Sequence, residues 1–337
     1  MRKQWRLWVA VAISVVALIL ALLRIDLHLA LQTLARANYL YLIPATVGLL
    51  VYLIARAVRW RLLLGPEVSL ARCFWVVNIG YLVSNVLPFR LGDPARAVAI
   101  GRSGPVSVAA ALSTVVVERV LDMLMVVLIL AGVAPFISGA GDALQAGLLA
   151  GVLALAVLAV LFVLAFRPDW GRRAVRWGLA RFPRVDVERW ARPLDGLFDG
   201  LAPLRSGRRG LALLGWSIVV WGCVVFYYWA LLRAFIPSLS ALAAPFLVCV
   251  VGLGMSIPSS PGAVGVFHAI ARYALTGPFG VPPEQAVAAA FAAHAFQYLP
   301  VCVLGVVGLA RESLSLRWLQ EQAHLSQDAP EVSEEGE

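Results

Sequence analysis

Lysine is nearly missing from this chain: Lys3 is the only one among 28 basic residues, which outnumber 19 acidic ones. Charge of either sign is scarce, at 14% of residues, where soluble domains carry about a quarter. That shortage excludes an ordinary soluble enzyme. The four cysteines, Cys73, Cys223, Cys249 and Cys302, sit in apolar runs without C-x-x-C or other ligand spacing, so they read as small buried hydrophobes. Neither a disulfide framework nor a metal site is implied. Walker loops, glycine fingerprints and nucleophile–His–acid arrangements are missing too, and no polar stretch is long enough to fold into a nucleotide-binding domain. No cofactor is expected.

What the chain has instead is apolar length. Hydrophobic residues make up 61% of 337, and the mean hydropathy is +0.85, which places the chain among polytopic membrane proteins. The net charge of +9 is almost wholly arginine. No aromatic-basic module accompanies it, so the arginines report topology through the positive-inside bias and no nucleic-acid partner is expected. Apolar runs over residues 7–23, 39–58, 106–134, 144–166, 211–235 and 285–310 are each long enough to span. The first could be a signal peptide, but it is long and has no small-x-small cleavage site, so it reads as a helix that stays. Arg56, Arg59 and Arg61 close the second span and mark its cytoplasmic end. Residues 167–209 hold eleven arginines with Trp170, Trp177 and Trp190 interleaved, as a cytoplasmic loop should; its tryptophans also suit interfacial helices. Residues 134–142 and 276–284 have no basic residue and read as outer loops. An acidic tail over 321–337 has no apolar period and is expected to be disordered.

Two stretches break the apolar pattern. Around residues 85–96, Pro88 and Gly92 stop a helix, Asp93 offers an N-cap acceptor, and Pro94 suits a first helical position. Near residue 260 the same grammar recurs, with Pro258 ending a helix, Ser260 able to cap, Pro261 starting the next, and Gly262 and Gly265 allowing close backbone approach. Crossing parity then constrains both. Keeping the N-terminus, the arginine-rich loop and Arg311–Arg317 on one side requires each broken segment to cross an even number of times. The expectation is an all-α polytopic membrane protein of about six spanning helices plus two re-entrant helical hairpins. It forms one integral-membrane domain over 1–320, with repeat units at about 7–134 and 144–310, the second inverted. Both termini are cytoplasmic. Irregular backbone at membrane depth must be buried in protein or line a wet cavity, so the two hairpin tips should meet near the midplane. The competing arrangement is eight ordinary spans kinked at proline.

Candidate chemistry clusters in two places. Glu118, Arg119 and Asp122 lie halfway along the 106–134 span within one ~100° arc, with Thr114 on the same face. Such a cluster is either a functional site or a neutralised group that pins helices together. Arg90 and Arg96 flank the first break, Arg272 lies one turn after His268 beyond the second, and Asn85 leads into the first. With the free N–H groups of two helix starts, these suit an anion such as a phosphate. Asp93 alone reads as an N-cap. His268 fits a proton-linked switch or a plain hydrogen-bonder equally well. His294, Gln297 and Tyr298 read as interhelical hydrogen bonds.

Three of these segments together resemble one family: Asn85…Pro-Phe-Arg-Leu-Gly-Asp93…Arg96, then Glu118-Arg119-Val-Leu-Asp122, then Pro258…Pro-Gly-Ala-Val-Gly-Val-Phe267. They are similar to the integral-membrane, flippase-like domain of lysylphosphatidylglycerol synthases, which also occurs as stand-alone and hopanoid-associated proteins. The resemblance covers about residues 7–310. It implies a domain that binds and translocates a lipid while synthase chemistry sits in a separate cytosolic domain, to which no stretch here corresponds. Two departures stand out, His268 where the family pattern leads one to expect an acid, and Asp93 where Glu is commoner. The combined expectation is a translocase in a bacterial inner membrane. Its partner would be a membrane lipid (phospholipid, polyprenyl-linked or hopanoid), with an anionic headgroup bound at a midplane site formed by Asn85, Arg90, Asp93, Arg96, Glu118, Arg119, Asp122, His268 and Arg272. The alternatives are a membrane-embedded enzyme, with Glu118, Asp122 and His268 as acid/base groups, and a transporter of a small solute.

Overall fold

The computed structural model describes residues 2–23, 25–87, 91–102, 105–138, 141–179, 205–254 and 260–315, together with 181, 198 and 201. Arg90, Pro88, Pro258, most of the arginine-rich loop and the acidic tail lie outside the described residues. Among the described residues the chain is helical and has no strand. Helices α1 (Arg2–Leu22) and α2 (Leu27–Ala35) form a pair bent by 82°. Then follow α3 (Leu42–Leu64), α4 (Leu70–Val86), α5 (Gly92–Gly101) and α6 (Val108–Val133). Next, α7 (Gly141–Phe166) turns by 104° into α8 (Pro168–Leu179), too sharp a bend for one straight span. The chain closes with α9 (Gly207–Phe235), α10 (Ala243–Gly254), α11 (Val266–Phe279) and α12 (Pro283–Arg311). Serine hydroxyls cap several starts: Ser69 accepts from the Arg72 amide, Ser107 from Ala110 and Ser206 from Arg209, each satisfying a first-turn N–H.

The segments Tyr39–Leu64, Gly207–Phe235 and Pro283–Arg311 are long and apolar enough to cross a membrane alone, and the two bent pairs raise the number to five. Helix α6, at 26 residues, is as long but carries three charges at its middle. The protein is therefore an all-α polytopic membrane protein, and all six expected spans are helices. The breaks are hairpins. At ~1.5 Å per residue, α5, α10 and α11 fall well short of a ~30 Å hydrocarbon core. In each hairpin the arms run antiparallel: Arg72 reaches the Ala99 carbonyl at one end while Gly80 faces Arg96 at the other. In the second hairpin, Phe246 meets Phe279 at the open end and Gly254 faces Ile270 near the tip.

Packing repeats the element order with partners exchanged. Helix α3 packs on α9, antiparallel, from Tyr39 against Phe235 at one end to Arg59 against Ser217 at the other. Helix α4 packs on α12 as α10 packs on α6, and α2 packs on α12 as α7 packs on α6. Such swapped pairing is what an approximate two-fold axis relating two copies of one unit produces. Between the two breaks, the turn Pro261–Ala263 lies against α4, and the Tyr298 hydroxyl donates to the Asn85 carbonyl at 3.2 Å. The breaks thus come together.

Two details of the breaks depart from the sequence reading. Asp93 is not the N-cap of α5: the helix starts two residues earlier than that reading requires, at Gly92 behind Leu91, and the Asp93 carboxylate is taken by arginines. Pro261 opens only a single 3₁₀ turn and Ser260 provides no side-chain cap; α11 begins at Val266, after Gly262, Ala263 and Gly265 adopt φ of 68°, 52° and 91°. Left-handed backbone there makes glycine the natural residue at two of the three positions.

The α4/α5 hairpin closes on glycine. A Cβ on Gly92 would run into the Gly80 carbonyl and the Ser84 hydroxyl, so Gly92→Ala should pry the arms apart and reduce the folded, monodisperse fraction seen by size-exclusion chromatography. Gly132→Ala on α6, where a Cβ meets nothing within 4 Å, should be neutral or stabilising by about 0.5–1 kcal/mol. Equal behaviour of the two variants would show that close approach at Gly92 is dispensable.

Candidate functional site

Seven ionisable side chains gather where α3, α5 and α6 cross. Arg59 is fully buried, and its guanidinium spans two acids, lying 2.8 Å from Asp122 and 3.4 Å from Glu118, while also donating to Ser217 of α9 at 3.2 Å. Glu118, 0% exposed, is shared with Arg96, whose Nη2 lies 2.5 Å away as an ion pair without hydrogen-bond alignment. Arg96 also lies 3.2 Å from Asp93 and sits 4.8 Å over the Trp60 ring. Trp60 in turn donates to Thr114 at 3.0 Å. Arg119 clasps Asp93 through two bonds of 2.7 and 2.8 Å and reaches Asp122 at 3.7 Å. Arg56 completes the set, 3.5 Å from both Asp122 and the Tyr52 hydroxyl.

Helical periodicity explains the convergence. Arg56 and Arg59 are one turn apart on α3, as are Arg119 and Asp122 on α6, so each helix presents its charges on adjoining faces. Arg56 and Arg59, read from the sequence only as the end of the second span, are both buried. The signal that could have found them was there: two arginines spaced i, i+3 inside an otherwise apolar helix must share a face, and here that face meets acids. A second correction concerns the triad. Arg119 does not neutralise Glu118; Arg59 and Arg96 do, and the Arg119 side chain is 51% exposed and turned toward Asp93.

These groups border a cavity of 520 Å³ between the hairpins and α3, α6, α9 and α12. Arg56, Arg96, Arg119, Asp93 and Asp122 line its charged side, with Asn85 at the end of α4. Tyr228, Gln297, Tyr298 and His294 line the other, joined by a Tyr228–Gln297 bond of 3.0 Å. Gln297, Tyr298 and His294 make the interhelical contacts expected of them and also face the cavity. His268 is set behind His294, its Nδ1 accepting from the Gly265 amide at 3.2 Å and its Nε2 lying 3.4 Å from His294 Nδ1. Arg272 is elsewhere. Its guanidinium donates to the carbonyls of Leu20, Ala21 and Leu23, capping the C-terminal end of α1, so it does not converge with Arg96. Arg90 lies outside the described residues. Among those residues no group of His, Cys, Asp and Glu is placed to hold a metal ion.

The fold and this centre define a multi-pass helical membrane protein with a charged internal cavity between two broken helices. The chain belongs to the family described as Lysylphosphatidylglycerol synthase TM region, which matches residues 7–305. It is similar to a "UPF0104 membrane protein" of Methanothermobacter thermautotrophicus, 24% identical over 327 residues, covering 89% of this chain and 94% of that protein. No solved structure matches.

Because Arg59 bridges two buried acids, Arg59→Ala leaves Glu118 and Asp122 short of a partner, a loss that costs about 3–5 kcal/mol when one side of a buried pair is removed. Arg59→Met combined with Glu118→Gln removes charge from both sides and should recover much of the melting temperature in detergent. A double variant as unstable as the single would mean that charge pairing is not what Arg59 contributes.

Proposed function

We propose that the protein is a lipid translocase that holds an anionic, phosphate-bearing headgroup in the central cavity while the acyl chains stay in the bilayer. The observation that carries this reading is the charge of the cavity: among the described residues Arg56, Arg96 and Arg119 line it against Asp93 and Asp122, and behind them Arg59 and Glu118 cancel. An apolar fold whose described residues leave one surplus positive charge at this cavity is stabilised by a ligand of opposite sign. A volume of 520 Å³ suits a headgroup, within the ~300–1,000 Å³ range of small-ligand sites. The exchanged packing of the two hairpin units supports an inverted repeat, the architecture in which transporters place a site between broken helices. Family membership supports the membrane setting. The arginine-rich stretch and the positive-inside rule support cytoplasmic termini, and a bacterial inner membrane is the setting proposed.

The enzyme reading draws less support. Asp93, Glu118 and Asp122 are each held by at least two guanidiniums, and a carboxylate clamped in this way is a poor proton carrier.

Two measurements test the proposal. In liposomes carrying the purified protein and a fluorescent anionic phospholipid, transfer between leaflets should fall about tenfold or more for Arg119→Ala, since a charge-assisted contact contributes ~1.5–3 kcal/mol. Arg119→Lys should restore only part, because an ammonium keeps the charge at the cavity wall but cannot clasp Asp93 through two parallel bonds. Arg272→Ala, which loosens only the cap of α1, should transfer lipid as wild type does; transfer undiminished in Arg119→Ala would remove the cavity from the pathway. For orientation, single cysteines in a cysteine-free background are labelled from either side. Arg173→Cys should react only from the cytoplasm, and Ser138→Cys and Glu284→Cys only from outside. Outside labelling at position 173 would overturn the inverted arrangement.

A further inference from the structure

We infer that the cavity selects a lipid phosphodiester of single negative charge whose headgroup beyond the phosphate is an uncharged polyol, and that it discriminates against amine and aminoacyl headgroups. This rests on the lipid reading above and adds the chemistry of the ligand. The family description names a lysylated lipid, whose headgroup carries ammonium groups, yet the carboxylates of this cavity are taken. Both oxygens of Asp93 are occupied by Arg119 at 2.7 and 2.8 Å, with Arg96 at 3.2 Å. Asp122 receives Arg59 at 2.8 Å and the Trp221 indole at 3.2 Å on one oxygen, and Arg56 at 3.5 Å and Arg119 at 3.7 Å on the other. Glu118 is fully buried. Among the described residues an incoming ammonium would find no free carboxylate and a surplus positive charge around it.

Arg56 is the group best placed to receive the phosphate. It is 5% exposed and lines the cavity, and its contacts to Asp122 and Tyr52 are long at 3.5 Å. A buried guanidinium held this loosely retains donors for a stronger acceptor. One negative charge on the ligand balances the surplus. A phosphomonoester, which carries about −1.5 to −2 at neutral pH, overshoots it.

The opposite wall is polar but uncharged. The Tyr228 hydroxyl donates to the carbonyl oxygen of Gln297, so Gln297 offers the cavity its NH₂ group. Tyr298 adds an aromatic face and a hydroxyl that donates to the Asn85 carbonyl and can still accept. The Gly265 amide donates to His268 Nδ1, which puts the His268 proton on Nε2 facing His294 Nδ1, so in this arrangement the histidine pair is neutral. Amide, hydroxyl and ring faces without charge suit the hydroxyls of a glycerol or inositol.

The test is competition binding to the purified full-length chain in detergent, using short-chain lipids. Phosphatidylglycerol and phosphatidylinositol should bind at least tenfold tighter than phosphatidylethanolamine and lysylphosphatidylglycerol, and tighter than phosphatidic acid. Phosphatidylmethanol, a singly charged diester without a polyol, should fall between. Arg56→Gln should erase the preference for phosphatidylglycerol over phosphatidylethanolamine, which Arg56→Lys retains. Gln297→Leu should erase that for phosphatidylglycerol over phosphatidylmethanol. The wild-type panel decides the matter even where a variant fails to fold. Equal or tighter binding of an amine lipid overturns the inference and leaves the lipid reading intact. Glycerophosphoglycerol, the same headgroup without chains, binding as tightly as the lipid would overturn the lipid reading and keep the headgroup chemistry. Binding of none of these overturns both.

Discussion

Arg59 and the two acids it bridges are the constraint on which the rest of this structure depends. A guanidinium in an apolar helix bundle is costly unless its charge is met at short range, and meeting it fixes several helices at once. Arg59 comes from α3, Glu118 and Asp122 from α6, and Ser217 from α9. Arg96 then ties α5 to the same Glu118. Apolar side chains can slide past one another with little penalty, but seven charges with defined partners cannot. The register between the hairpin and its flanking helices follows from that pairing.

Close backbone approach does the remaining work. The arms of the first hairpin meet at Gly80 and Gly92, and α12 lies against α4 through Gly305 and Gly308. In lipid, where water supplies no hydrophobic drive between helices, small residues allow the dense packing on which association rests. Beside the breaks, the turn Pro261–Ala263 lies against α4 and Tyr298 bonds the Asn85 carbonyl, which suits the requirement that irregular backbone within a bilayer be covered by protein. Surplus charge, a cavity and broken helices are therefore consequences of one arrangement. The outward faces of α7 and α12 expose Leu149, Val152, Leu153, Leu299 and Val303 to the surroundings, as lipid-facing helices do.

Much of this was legible before any coordinates. Apolar runs of sufficient length located the six long helices, and proline and glycine located the two hairpins, because those residues act through local backbone geometry. Family resemblance rested on three short segments and agrees with the family match. The clustering of Glu118, Arg119 and Asp122 on one face followed from helical periodicity alone. Their partners did not. Asp93 read locally as a helix cap because the favourable interaction visible in sequence is with the next few amides, whereas Arg119, 26 positions later, offers two charge-assisted bonds and wins. Arg272 looked like a site residue from its place after His268, but which face of α11 meets α1 is not a local property.

By itself, then, the sequence determined the membrane class, the helical segments and the two breaks, since each depends on composition and on neighbours within a few residues. Only the tertiary structure decided which arginine neutralises which acid, that Arg56 and Arg59 are buried against acids of another helix, and that Arg272 caps α1. The physical reason is that ion pairing over 4 Å is set by the rotation and crossing of helices far apart in the chain. Hydropathy records how much a helix prefers lipid, but not toward which neighbour it turns its few charges.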